Sequence, residues 1–103
     1  MWAQLITMRI KPGKEGDLPT LLAQLRAIEQ PDSGLIRSTT FRDQADPLRI
    51  SMLVVFESEQ KARARESDPR RQEGLVGVRA TIAEMVDGAP EFVDFEVVEE
   101  TSP

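Results

Sequence analysis

The segment Ile50-Ser51-Met52-Leu53-Val54-Val55-Phe56 constrains the fold more than any other stretch of the chain. Successive side chains of a strand alternate between faces. Ile50, Met52, Val54 and Phe56 therefore point one way, and Leu53 and Val55 the other. A solvated antiparallel sheet avoids large apolar groups on both faces, so this strand belongs in a sheet that is covered twice. A chain of 103 residues has room for one core, so something other than a second domain must provide part of that cover.

The remaining elements follow from period and punctuation. Residues 2–11 alternate, with Gln4, Ile6, Met8 and Ile10 on one side, and Pro12-Gly13 ends them. Leu18, Leu21, Leu22, Leu25 and Ile28 form a helical stripe from about Glu15 or Asp17 to Glu29, with Pro19 tolerated in the first turn. Residues 35–42 and 48–57 read as a hairpin around Asp43-Gln44-Ala45-Asp46-Pro47. Ser58 caps a short helix to about Glu66, and Asp68-Pro69 starts another that Gly88 closes. Gly74 and Gly77 each cost that helix about 1 kcal/mol relative to alanine; they either permit close packing on the sheet or mark a break. Residues 91–98 form the last strand, with Val93, Phe95 and Val97 opposite Phe92, Asp94, Glu96 and Val98.

The order β-α-β-β-α-β predicts an α+β, ferredoxin-like fold: a four-stranded antiparallel sheet with two helices on one face. One domain spans residues 1–98, and Glu99 to Pro103 is a flexible C-terminal tail. Two helices cover one side only. Burying four to six apolar side chains on the other side recovers roughly 1.5–3 kcal/mol each, which predicts a two-fold homodimer in which two sheets close face to face as a dimeric α+β barrel. The alternative is a monomer whose strand ends and loops shield that face.

Composition removes several chemistries. Cysteine, histidine, tyrosine and asparagine are absent, which excludes disulfides, Cys/His metal sites and Ser-His or Cys-His nucleophiles. The net charge is −5 and the last seventeen positions carry six acids and no base, so nucleic acid is not an expected partner. The cluster Lys61, Arg63, Arg65, Arg70 and Arg71 reads as a solvated helix face or an anion site, and it holds no aromatic for stacking. No apolar run reaches the ~20 residues of a membrane helix. The first residues lack a secretory pattern, so no membrane partner and a cytoplasmic location are expected.

A strand ending in Lys11-Pro12-Gly13, a strand running Val54-Val55-Phe56-Glu57-Ser58-Glu59 into a helix, and the closing Phe95-Glu96-Val97-Val98 together resemble the antibiotic biosynthesis monooxygenase-like family of dimeric α+β barrels, over residues 2–98. The resemblance implies a homodimer with a mostly apolar cavity between sheet and helices. It implies either cofactor-free oxidation of polycyclic phenols to quinones by dioxygen, or haem degradation; many members have no established activity. Family enzymes carry asparagine on the first strand, with tryptophan and histidine or tyrosine nearby. Here the matching positions are Ile6 for the asparagine and Arg65 for the tryptophan, with the haem-ligand position near Gly74. Haem degradation through a histidine-ligated iron is excluded, and no cofactor is expected. Two readings follow: a cofactor-independent monooxygenase-like protein binding a small flat apolar or phenolic molecule within each protomer, or a catalytically silent dimer serving as a ligand-binding or assembly module.

Candidate ligand residues are few. Trp2 suits stacking on a flat ligand, or an interface or rim position. Met8 and Met52 suit an adaptable cavity wall, or plain core. Arg37 and Thr39 share one side of their strand, as do Arg49 and Ser51; lining a cavity, the arginines would hold a phenolate or carboxylate, and at an edge they would be solvated. Asp94 and Glu96 would act as bases only if they faced an apolar cavity. Arg79 and Glu84, five apart on a helix, read as separate surface groups.

Overall fold

The computed structural model describes residues 1–103. Four strands, β1 (Trp2–Arg9), β2 (Leu35–Arg42), β3 (Arg49–Phe56) and β4 (Glu91–Glu96), form one antiparallel sheet in the order β2-β3-β1-β4. Three α-helices accompany them: α1 (Leu18–Ala27), α2 (Glu59–Glu66) and α3 (Pro69–Met85), with a 3-10 turn over Glu15–Asp17 leading into α1. This is the ferredoxin-like α+β architecture, with the second helical layer broken into two pieces at the two helix starts that Ser58 and Asp68-Pro69 predict.

That break has a local cause. Ser58 Oγ accepts the Lys61 N–H at 3.1 Å to start α2. Asp68 Oδ1 accepts the Arg70 N–H at 2.9 Å to start α3, with Pro69 at its first position. A proline lacks the N–H that would continue α2, so the chain restarts. The β2–β3 hairpin is set the same way, by Asp43 Oδ1 accepting the N–H groups of Ala45 (2.8 Å) and Asp46 (3.2 Å). Gly34 precedes β2 at φ +82°, where an added Cβ would also lie 2.7 Å from the Lys61 side chain, so glycine is required twice over.

Register decides which side chains meet the helices. Ile6 lies across from both Met52 and Phe92, and Gln4 from Val54 and Asp94; Thr40 lies beside Met52 and Ser38 beside Val54. The even-numbered residues thus face the helices. Met8, Ile10, Ile50 and Met52 pack there with Leu18, Leu21, Val78, Met85 and Val86, while Trp2, Val54, Phe56 and Ala62 form a second cluster, both reaching Ile6. The helix α3 runs unbroken through both glycines. Gly74 packs on Ile28 at the end of α1, and Gly77 meets open space.

The opposite face has no helix. The chain beyond β4 returns across it: Val97 N–H donates to the Met1 carbonyl at 3.2 Å, and Glu100 pairs with Arg37 on the far edge strand. Ala3 and Val55, adjacent in the row that ends at Arg37, are buried. The rest of this face stays open, with Phe41 50%, Val93 48% and Phe95 45% exposed beside half-buried Leu5 and Leu53.

Candidate functional site

Between the even-numbered face of the sheet and helices α1 and α3 lies a cavity of about 420 Å³, within the range that holds a small organic ligand. Its floor is Gln4, Ile6 and Met8 of β1, Ser38 and Thr40 of β2, and Met52, Val54 and Phe56 of β3. Leu21, Leu22 and Leu25 of α1 and Leu75, Val78 and Ile82 of α3 roof it, and Pro90 and Phe92 border it at the β4 edge. The sequence dictates this: the apolar stripes of both helices, spaced three and four apart, turn to the same sheet face.

One end is charged. Arg26, Glu29, Arg65 and Arg71 all reach the cavity. Arg65 holds Glu29 with two hydrogen bonds, Nε to Oε2 at 3.0 Å and an η-nitrogen to Oε1 at 2.6 Å, and its guanidinium carbon stands 5.0 Å from the Phe56 ring centre. Burial raises the Glu29 pKa, but the Arg65 and Ser33 hydrogen bonds and the charges of Arg65 and Arg71 outweigh it, so the carboxyl sits below its ordinary value. Burial, aided by the Arg65 charge, pulls Arg71 below the usual arginine value against the attraction of Glu29 and Glu66. Glu29, Arg65 and Arg71 also wall a second, smaller hollow of about 180 Å³ on the outer surface, whose other charged side chains include Asp32, Lys61, Asp68 and Arg70.

The structure sorts the sequence candidates by strand parity. Met8 lines the cavity, as does Met52. Trp2 is on the same face but is buried against Phe56, with rings 5.9 Å apart, beneath the Arg63 guanidinium; it is core, outside the cavity wall. Arg37, Thr39, Arg49 and Ser51 are odd-numbered and lie on the face away from the helices, so the polar groups that β2 offers the cavity are Ser38 and Thr40. Asp94 accepts from Gln4 Nε2 (3.0 Å) and from Arg63 (2.9 Å) at the sheet's edge. The Gln4 and then Arg63 contacts hold its carboxyl below the ordinary value, the reverse of a buried base. Glu96 is exposed. Arg79 reaches Gln72 at 3.3 Å and not Glu84. Ile6 and Arg65, the positions matched to asparagine and tryptophan, both line the cavity, whereas Gly74 is pressed on Ile28.

Sequence reasoning missed the Glu29–Arg65–Arg71 group. As a charged group Arg65 and Arg71 showed only as members of a basic run, and their acid lies 36 residues from Arg65, in the loop just after α1. Glu29 at the end of the α1 stripe, with cations in the α2–α3 run, was the available signal.

A four-stranded ferredoxin-like sheet roofed by helices over an apolar cavity defines a class of small α+β proteins. Residues 1–75 match the family model for antibiotic biosynthesis monooxygenase, and the chain belongs to that family. No curated protein matches the sequence. Among solved structures, a variant of SnoaB, a cofactor-independent oxygenase from Streptomyces nogalater, aligns with a TM-score of 0.76 at 14% identity, covering 96% of this chain and 94% of that one. A protein of unknown function from Nitrosomonas europaea aligns with a TM-score of 0.75 at 19% identity, covering 99% and 93%. Rv0793 from Mycobacterium tuberculosis gives 0.75 at 14% identity, covering 98% of each chain. At such identities the likeness is one of fold.

Proposed function

We propose that this chain forms a homodimer through its helix-free sheet face and that each protomer binds a small, flat, apolar or phenolic molecule in the cavity between sheet and helices. The observation that carries the reading is the 420 Å³ cavity, walled mainly by leucine, isoleucine, valine and methionine and supplied with the short polar side chains Gln4, Ser38 and Thr40. Apolar walls recover the transfer free energy of a ring system, and a few polar groups orient it. The dimer rests on the open face: Phe41, Val93 and Phe95 with Leu5 and Leu53 are too large an apolar group to leave in water.

Cofactor-free oxidation by dioxygen, as named for the Streptomyces relative, is the reaction we assign to this cavity if turnover occurs. It would proceed by loss of the phenolic proton and transfer of electrons from the resulting anion to dioxygen, with one oxygen atom retained in the quinone and the other leaving as water. A second reading, binding without turnover, is favoured by the state of Glu29. The carboxylate at the cavity is already clamped by Arg65 and held below its ordinary pKa, so it is a poor proton acceptor.

Oxygen uptake and binding measured together on a panel of dihydroxyaromatic compounds test both. Binding with uptake above the buffer rate, lost when Leu75→Trp fills the cavity, supports the oxygenase; binding without uptake supports the silent module; no binding refutes the cavity as a ligand site.

A further inference from the structure

The basic run on α2 and α3 contains five cations, and four of them are hydrogen-bonded to acids. Lys61 bonds Glu57, Arg63 bonds Glu59, Glu66 and Asp94, Arg65 bonds Glu29, and Arg70 bonds Asp32 and Asp68. Arg71 is the exception. One of its terminal nitrogens is sealed from solvent and has no hydrogen-bond acceptor; its nearest carboxylate oxygen, on Glu29, is 3.8 Å away. The side chain as a whole is only 11% exposed.

A buried guanidinium N–H without an acceptor is costly, and proteins rarely leave one so. Arg71 shares Glu29 with Arg65 only as a longer ion pair: both oxygens of that carboxylate accept from Arg65, and the Arg71 contact is too long for a hydrogen bond. The cavity end carries Arg26, Arg65 and Arg71 against a single lining carboxylate, an excess of positive charge beside walls that are mainly apolar. The complement of that arrangement is a planar anion attached to an apolar body. A carboxylate fits the fork of a guanidinium better than a phenol does, since it offers two acceptor oxygens in one plane.

We infer that the cavity's ligand is an aromatic carboxylic acid, its ring against Ile6, Met52, Leu75 and Val78 and its carboxylate on Arg71. The inference rests on the cavity being the ligand site and narrows the ligand class from flat apolar molecules to flat acids.

A matched pair of probes tests it: 2-naphthoate and the neutral 2-naphthamide, titrated calorimetrically into the intact protein, into Arg71→Met and into Arg71→Lys. The expected result is at least tenfold tighter binding of the naphthoate by the wild type. Arg71→Met should abolish that preference by weakening naphthoate at least tenfold more than naphthamide, and Arg71→Lys should keep part of it. Equal affinities for the two probes in the wild type, or a preference that survives in Arg71→Met, would overturn the acid assignment and leave the cavity standing. Binding of neither probe would overturn the assignment together with the cavity reading.

Discussion

Two glycines on α3 provide a controlled pair of perturbations. A Cβ at Gly74 would lie 2.3 Å from Ile28 Cγ2 and 2.9 Å from Ile28 Cβ, whereas one at Gly77 would meet nothing within 4 Å. Both positions are interior to α3, so alanine gives each about 1 kcal/mol of helix propensity. At Gly77 nothing opposes that gain, and Gly77→Ala should stabilise by about 1 kcal/mol. At Gly74 the contact with Ile28 Cβ cannot be cleared by a rotamer change, because that atom is fixed to the backbone. Helix α3 must move off the end of α1, and overpacking of this kind costs roughly 1–3 kcal/mol. Gly74→Ala should therefore be neutral to destabilising by about 2 kcal/mol, and the two variants should differ by about 1–3 kcal/mol. For a domain of this size each kcal/mol shifts Tm by about 4–8 °C. Thermal and urea denaturation followed by circular dichroism, at one fixed protein concentration because a dimer's stability depends on it, would show the split. If Gly74→Ala stabilised as much as Gly77→Ala, the close α1–α3 contact that sets the height of the cavity roof would be wrong.

Three further outcomes follow from the charge and apolar distributions. Because the Glu29 pKa is lowered in the fold from 4.5, its contribution to stability is complete above that value and is lost as pH falls through the lower folded value; Glu29→Gln should flatten the acid limb of a denaturation profile run from about pH 7 to about pH 3. Arg65→Met removes both Arg65 hydrogen bonds to Glu29 while leaving the carboxylate half-buried, which should cost roughly 2–4 kcal/mol by urea denaturation. Replacing Leu53 or Phe95 by aspartate places a charge on the open sheet face and should convert a dimer into an 11.5 kDa particle by sedimentation without changing the far-ultraviolet spectrum.

Much of the fold was legible because its signals are local. The β2 boundaries, the Ser58 and Asp68-Pro69 helix starts and the Asp43 turn all depend on residues within a few positions of one another. The site was less so. Alternation shows that Arg37 and Thr39 share a side, and Arg49 and Ser51 likewise, but not which side the helices cover. In β3 both sides are apolar, which blurs the usual hint, although the bulkier set of Ile50, Met52, Val54 and Phe56 is the one the helices took. The charged end was hidden for a different reason: in a run of five cations nothing local distinguishes Arg71, the one without a hydrogen-bonded acid, from its neighbours.

The central claim is that ligand enters the space between sheet and helices rather than adhering to the bare sheet face. Two-dimensional NMR of labelled protein titrated with 2-naphthoate tests it most directly. The account predicts shifts concentrated at Ile6, Met52, Leu75 and Val78, with Phe41, Leu53 and Phe95 unmoved; shifts confined to the latter set, or no saturable shifts at all, would contradict it.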